Sequence, residues 1–126
     1  MRVMVFGKAT KDTEAGVMPT AEAWEAMEKY QEELEKAGIV LVGEGLMPSS
    51  TGVRVRCSGK DRVVTDGPFT ETKELIAGYS IWEVKSMEEA IAWVKRSPMT
   101  SDSQVEIRPI LSFSPEEVSE IVSKGK

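Results

Sequence analysis

The sequence predicts an α+β domain of ferredoxin-like form: two β-α-β units sharing one sheet, both helices on one face, and a β-hairpin inserted between the units. Three observations predict it. Four apolar, alternating segments fall near residues 2–7, 39–46, 78–84 and 104–110, and two helix signatures lie between them. Another pair of alternating segments flanks Ser58-Gly59-Lys60-Asp61, a hairpin signal. The chain has 126 residues, enough for one domain and too few for two. The two halves share no residue-level repeat, so the symmetry is one of elements.

The first strand, residues 2–7, puts Val3 and Val5 on one face and Met4 and Phe6 on the other, so both faces need cover. Residues 8–19 read as a long polar connection. Thr20 then stands at a helix N-cap, with Glu22 in the first turn, and the helix runs to about Ala37 before Gly38. Its apolar positions are Ala23, Trp24, Met27, Tyr30, Leu34 and Ala37, and its intervening glutamates face water. Ile39 to Leu46 forms the second strand, where Gly43 and Gly45 flank Glu44 and suggest a bulge or a close approach of backbone or ligand.

Pro48 to Gly52 is a loop, and Val53–Cys57 with Arg62–Thr65 form the hairpin. A two-residue Gly59-Lys60 turn sets Val53 opposite Asp66, whereas a three-residue turn sets Arg54 there. Asp66-Gly67-Pro68-Phe69 closes the hairpin, and Thr70 is placed to cap one helical turn over 71–74. Gly78 to Val84 is a strand. Ser86-Met87-Glu88-Glu89 is a capping box opening a helix that buries Met87, Ala90, Ile91 and Val94 and ends at Ser97-Pro98. Gln104 to Ile110 is the last strand. Residues 112–126 form a helical tail launched by Ser114-Pro115, with Val118, Ile121 and Val122 on one side and fraying over Lys124-Gly125-Lys126.

Composition excludes several function classes. There are 16 basic and 21 acidic residues, a net charge of −5, and no basic stripe for nucleic acid. No apolar run approaches a membrane span, and the N-terminus reads straight into a strand rather than a signal peptide. The lone Cys57 forms no intrachain disulfide, which places the chain in the cytoplasm; it reads as a plain strand thiol, with a reactive thiol beside Arg56 as the alternative. With no histidine, Ser-His-Asp and Cys-His nucleophiles and His-ligated metals are impossible. No acidic spacing fits a calcium loop and no glycine spacing fits a nucleotide loop, so neither metal nor cofactor is expected. The apolar second face of the sheet predicts a homodimer packed sheet to sheet. Trp24, Trp82, Trp93 and Tyr79 read as core or interface aromatics, Tyr79 and Trp82 alternatively as pocket walls.

The block Asp66-Gly67-Pro68-Phe69-Thr70-Glu71-Thr72-Lys73-Glu74 resembles the YCII-related proteins of the DGPF type. The resemblance extends to Gly43-Glu44-Gly45-Leu46 with Pro48, to Val53-Arg54-Val55-Arg56 and to Glu106-Ile107-Arg108-Pro109, over about residues 2–110. It implies a dimeric α/β barrel built from ferredoxin-like subunits, in a family whose function is largely uncharacterised. Some such relatives look like small enzymes with a His–Asp pair. Genes for others often neighbour or fuse to alternative sigma factors, which implies a non-catalytic regulatory module as the rival to a small enzyme or binding protein. Here Met47 stands where several members carry a histidine.

The family block coincides with charged residues flanked by glycines, which predicts a small pocket between sheet, hairpin and turn. Its candidates are Glu44, Arg54, Asp66, Lys73 and Arg108. Asp66 is expected to be a buried carboxylate serving as acid, base or anchor, unless the motif is simply the turn that ends the hairpin. Arg54 and Arg108 would contact a small anionic metabolite, with Glu44 and Lys73 in support. The alternatives are a solvated basic strand face for the arginines and a charged short helix around Lys73.

Overall fold

Local start and stop signals act where the chain carries them. The computed structural model describes residues 1–125. Strand β1 (Arg2–Lys8) leads to a four-residue helix α1 (Lys11–Glu14) inside the predicted connection, capped reciprocally by Thr10 and Thr13. The main helix α2 (Ala21–Lys36) starts where the Thr20 hydroxyl accepts from the Ala23 N–H and stops before Gly38, whose φ is 71°. Then follow β2 (Val40–Gly45), a 3₁₀ turn (Ser49–Thr51), β3 (Val53–Ser58), β4 (Asp61–Asp66), a second 3₁₀ turn (Thr72–Glu74) and β5 (Ile76–Glu83). The chain continues through α3 (Met87–Lys95), β6 (Val105–Pro109) and the tail helix α4 (Pro115–Lys124). At the tail, Ser114 and Glu117 form the complete reciprocal cap, and Gly125 occupies the C-cap. Of the fraying predicted over Lys124-Gly125-Lys126, Lys126 lies outside the described residues.

Four strands form one antiparallel sheet in the order β2-β5-β1-β6, and β3-β4 form a separate two-stranded sheet. Mixed α and β elements on an antiparallel sheet in this order are consistent with the ferredoxin-like form. Strand register sorts the side chains into rows. Val40, Trp82, Val3 and Pro109 make one row, and Gly43, Ser80, Val5 and Ile107 make the next on the same face. That face packs against Tyr30, Leu34 and Ala90 of the helices, with Val3, Leu34 and Ala90 wholly buried. The opposite face presents Val42-Ile81-Met4-Arg108 and Glu44-Tyr79-Phe6-Glu106, and none of these belongs to the buried core.

Four details correct the sequence reading. Trp24, 54% exposed, lies roughly 120° around α2 from Tyr30 and bonds Glu28 instead of the core. Ile91 is exposed, because Met87, Ala90 and Val94 form the stripe of α3 that meets the sheet. Glu89 reaches back to the Lys85 N–H, not to Ser86, so only half of that capping box forms. Thr70 caps nothing: Glu71 occupies the cap position of the second 3₁₀ turn, without a side-chain bond.

Candidate functional site

The hairpin adopts the two-residue turn, with Ser58 paired to Asp61 and Val53 opposite Asp66. Arg54 is therefore opposite Thr65, on the other face from Asp66. Apart from the half-buried Val63, both strands are exposed, so the hairpin is anchored mainly at its root, where the DGPF turn lies against the 49–52 segment.

That root is a place where backbones touch. The Gly67 N–H donates to the Gly52 carbonyl at 2.9 Å. A Cβ on residue 67 would fall 1.8 Å from the Ser49 carbonyl oxygen, so only glycine fits. The Phe69 N–H donates to Ser49 Oγ at 3.0 Å. Ser49 in turn gives its own N–H to Glu14 Oε2 at 2.9 Å and its hydroxyl to Glu14 Oε1. A carboxylate from α1 thus holds the 3₁₀ turn, and the 3₁₀ turn holds the DGPF turn. Bonds to an ionised acceptor are among the stronger ones a protein makes.

These segments wall a groove of about 490 Å³ lined by Leu46, Met47, Val53, Phe69, Leu75 and Ile76, with Arg54 at its side. The Arg54 guanidinium carbon sits 3.7 Å from the Phe69 ring centroid, a cation–π stack. Its nearest carboxylate, Glu71, is 3.8 Å away, and both side chains are half exposed.

Of the five predicted site residues, the groove gathers Arg54 alone. Asp66 is exposed and does not line it, which corrects the expectation of a buried carboxylate: the motif's glycine and backbone build the contact with Ser49, and the aspartate closes the strand beside them. Lys73 is exposed on its 3₁₀ turn. Glu44 and Arg108 share the uncovered face of the sheet but sit on its two edge strands and in neighbouring rows, three strand spacings (about 14 Å) across the sheet and two residues along it. Arg108 pairs with Glu106 at 3.7 Å. The glycine beside Glu44 also has a local cause, since a Cβ at Gly43 would come within 3.0 Å of Ser80 Oγ, which bridges the Val42 carbonyl and the Trp82 indole N–H.

Glu14, Ser49 and Phe69 are the residues that sequence reasoning missed. Thr10 and Gly16 bracket the short helix and mark it locally, but nothing local couples Glu14 to a serine 35 positions on. Cys57 is exposed, with Arg62 Nη1 at 3.2 Å from its sulfur. Trp82 is a core residue, and Tyr79 faces the uncovered side. Among the described residues no group of three acidic or thiol side chains converges to hold a metal ion, and no helix is long and apolar enough to cross a membrane.

Residues 1–114 match the model of the YCII-related domain. An uncharacterised protein of Rhizobium meliloti (strain 1021) is 31% identical over 75 residues, which are 58% of this chain; the match spans 60% of that relative's length. Among solved structures, the 5-chloro-2-hydroxyhydroquinone dehydrochlorinase of Burkholderia phenoliruptrix AC1100, in complex with 2,5-dihydroxybenzoquinone, aligns with a TM-score of 0.46 at 17% identity. That alignment covers 84% of this chain and 91% of the other.

Proposed function

We propose, from the premise that this chain belongs to the YCII-related family, that it is a homodimeric small-molecule-binding protein whose ligand lies in the groove beside the DGPF turn. One observation carries this reading. The Glu14–Ser49–Phe69 chain of bonds fixes a groove wall outside the buried core, made of loops that no packing against the helices would hold. Loops positioned by such a scaffold are where proteins place their binding residues. The groove's volume suits a small metabolite. Binding fits the arrangement better than acid-base chemistry, because Arg54 is the charged candidate on the groove and a guanidinium does not give up its proton.

Dimerisation through the uncovered sheet face is supported by its composition. Half-buried Met4, Phe6, Tyr79 and Ile81 occupy the middle, and Glu44, Glu106 and Arg108 the margin, the pattern of an interface core with a charged rim. A reducing cytoplasm suits the exposed Cys57 thiol.

A metabolite library screened by thermal shift, with hits mapped by amide chemical shifts, tests the reading. The expected hits raise the melting temperature and perturb residues 46–54 and 69–76. Hits that map elsewhere overturn it. Light scattering at micromolar concentration should report twice 13.9 kDa; a lone 13.9 kDa particle removes the dimer.

A further inference from the structure

We infer that the groove is a monocarboxylate site, in which the Arg54 guanidinium clamps the carboxylate of a small molecule whose apolar body lies along Leu46, Val53, Leu75 and Ile76. The inference rests on the reading of the groove as a ligand site and specifies its chemistry.

The Phe69 ring lies 3.7 Å from the guanidinium carbon and occupies one side of the group, which leaves its N–H donors for a ligand. Among the described residues Arg54 donates no hydrogen bond, although a guanidinium carries five N–H groups arranged to meet a carboxylate in pairs. Glu71 stands 3.8 Å off, beyond hydrogen-bonding distance, and is half exposed, so a ligand carboxylate can take the closer place without breaking a bond. The groove offers this single cation, with Glu71 beside it, against a lining that is otherwise mainly apolar. Arg54 and Glu71 balance each other, so a ligand's first negative charge meets the guanidinium against the opposition of Glu71. A second finds no cation in the groove, which selects monocarboxylates with an apolar or aromatic body over phosphate and dicarboxylates.

Benzoate is a suitable probe, with benzamide as its uncharged isostere and inorganic phosphate as the competing anion. In amide chemical-shift titrations, benzoate should move residues 46–54 and 69–76. Benzamide should bind about tenfold more weakly or worse, and so should benzoate to Arg54→Ala, the loss expected for a hydrogen bond to a charged group. Arg54→Lys, which keeps the charge but loses the planar stack, should fall between. Resonances outside the groove report that the exposed substitution leaves the fold intact. Benzamide binding as tightly as benzoate, or Arg54→Ala binding unchanged, overturns the clamp and leaves the groove a ligand site of another kind. Phosphate binding as tightly as benzoate overturns the assignment to monocarboxylates. Benzoate and benzamide both leaving the groove resonances unmoved also overturns the clamp, and the library screen then decides separately whether the groove binds anything.

Discussion

The two faces of the four-stranded sheet are made by the same alternating strands, yet they end in opposite circumstances. On one, Val3, Val5 and Trp82 meet Tyr30, Leu34 and Ala90 and leave the solvent. On the other, Met4, Phe6, Tyr79 and Ile81 are apolar to a similar degree, but no helix among the described residues joins them in a core. Strand alternation shows which side chains share a face; the helices decide which face becomes the interior of a single chain. Apolar character alone does not distinguish a monomer's core from a surface awaiting a partner.

Paired truncations should break the comparison most clearly. Leu34→Ala, at a wholly buried position, should cost about 2–5 kcal/mol in urea denaturation. Ile81→Ala on the uncovered face should cost less than half of that at concentrations where the chain is monomeric, and its cost should grow with protein concentration if that face pairs. Equal, concentration-independent losses would erase the distinction.

Alkaline pH probes the covered face alone. Burial pushes the Tyr30 phenol up to about 12, with Arg96 opposing and Glu33 adding to the rise, while its hydroxyl donates to the Trp93 carbonyl at 2.7 Å. Between pH 10 and 12 the unfolded chain releases this proton while the folded chain keeps it, so stability falls as pH rises. The contribution is complete below pH 10 and its loss reaches about 3 kcal/mol at most. Tyr30→Phe should be less stable than the parent by about 1 kcal/mol at pH 9, and that gap should close at about pH 11 and reverse by about pH 12, since the parent alone loses stability to the phenol's ionisation. A gap that stays constant between these pH values refutes the linkage.

On the uncovered face, Phe6→Asp should halve the mass seen by light scattering while the urea midpoint of the monomer moves little. At the hairpin root, Ser49→Ala should remove the hydroxyl's bonds to Glu14 and Phe69 while the backbone N–H bond to Glu14 remains, cost about 1–2 kcal/mol, and raise amide exchange at Phe69 without altering exchange in β1 or β5.

The elements were legible because their signals are local. Thr20 and Gly38, Ser114 and Pro115, and the Gly59-Lys60 turn each act within a few residues. The site was less legible because it is assembled across the chain. Its residue type marks Arg54 as a candidate anion contact, but its place over Phe69 depends on two segments meeting. The expected burial of Asp66 fails for a physical reason: the motif looks like a carboxylate presented by a turn, whereas its tightest contact is between two stretches of main chain. The glycines around Glu44 do mark a close approach, made by the neighbouring strand. One of them makes room for the Ser80 hydroxyl, a partner 37 residues away in sequence that no local pattern reveals.

Main chain pressed on main chain at Gly67 and Ser49 also governs how the projecting hairpin can travel. Its root is joined to the 49–52 segment by the Gly67 bond to Gly52, and that segment is held by Glu14 of α1. The arm is therefore joined at its root to the wall of the groove. Whatever tilts it tilts the groove's rim with it, as one lever.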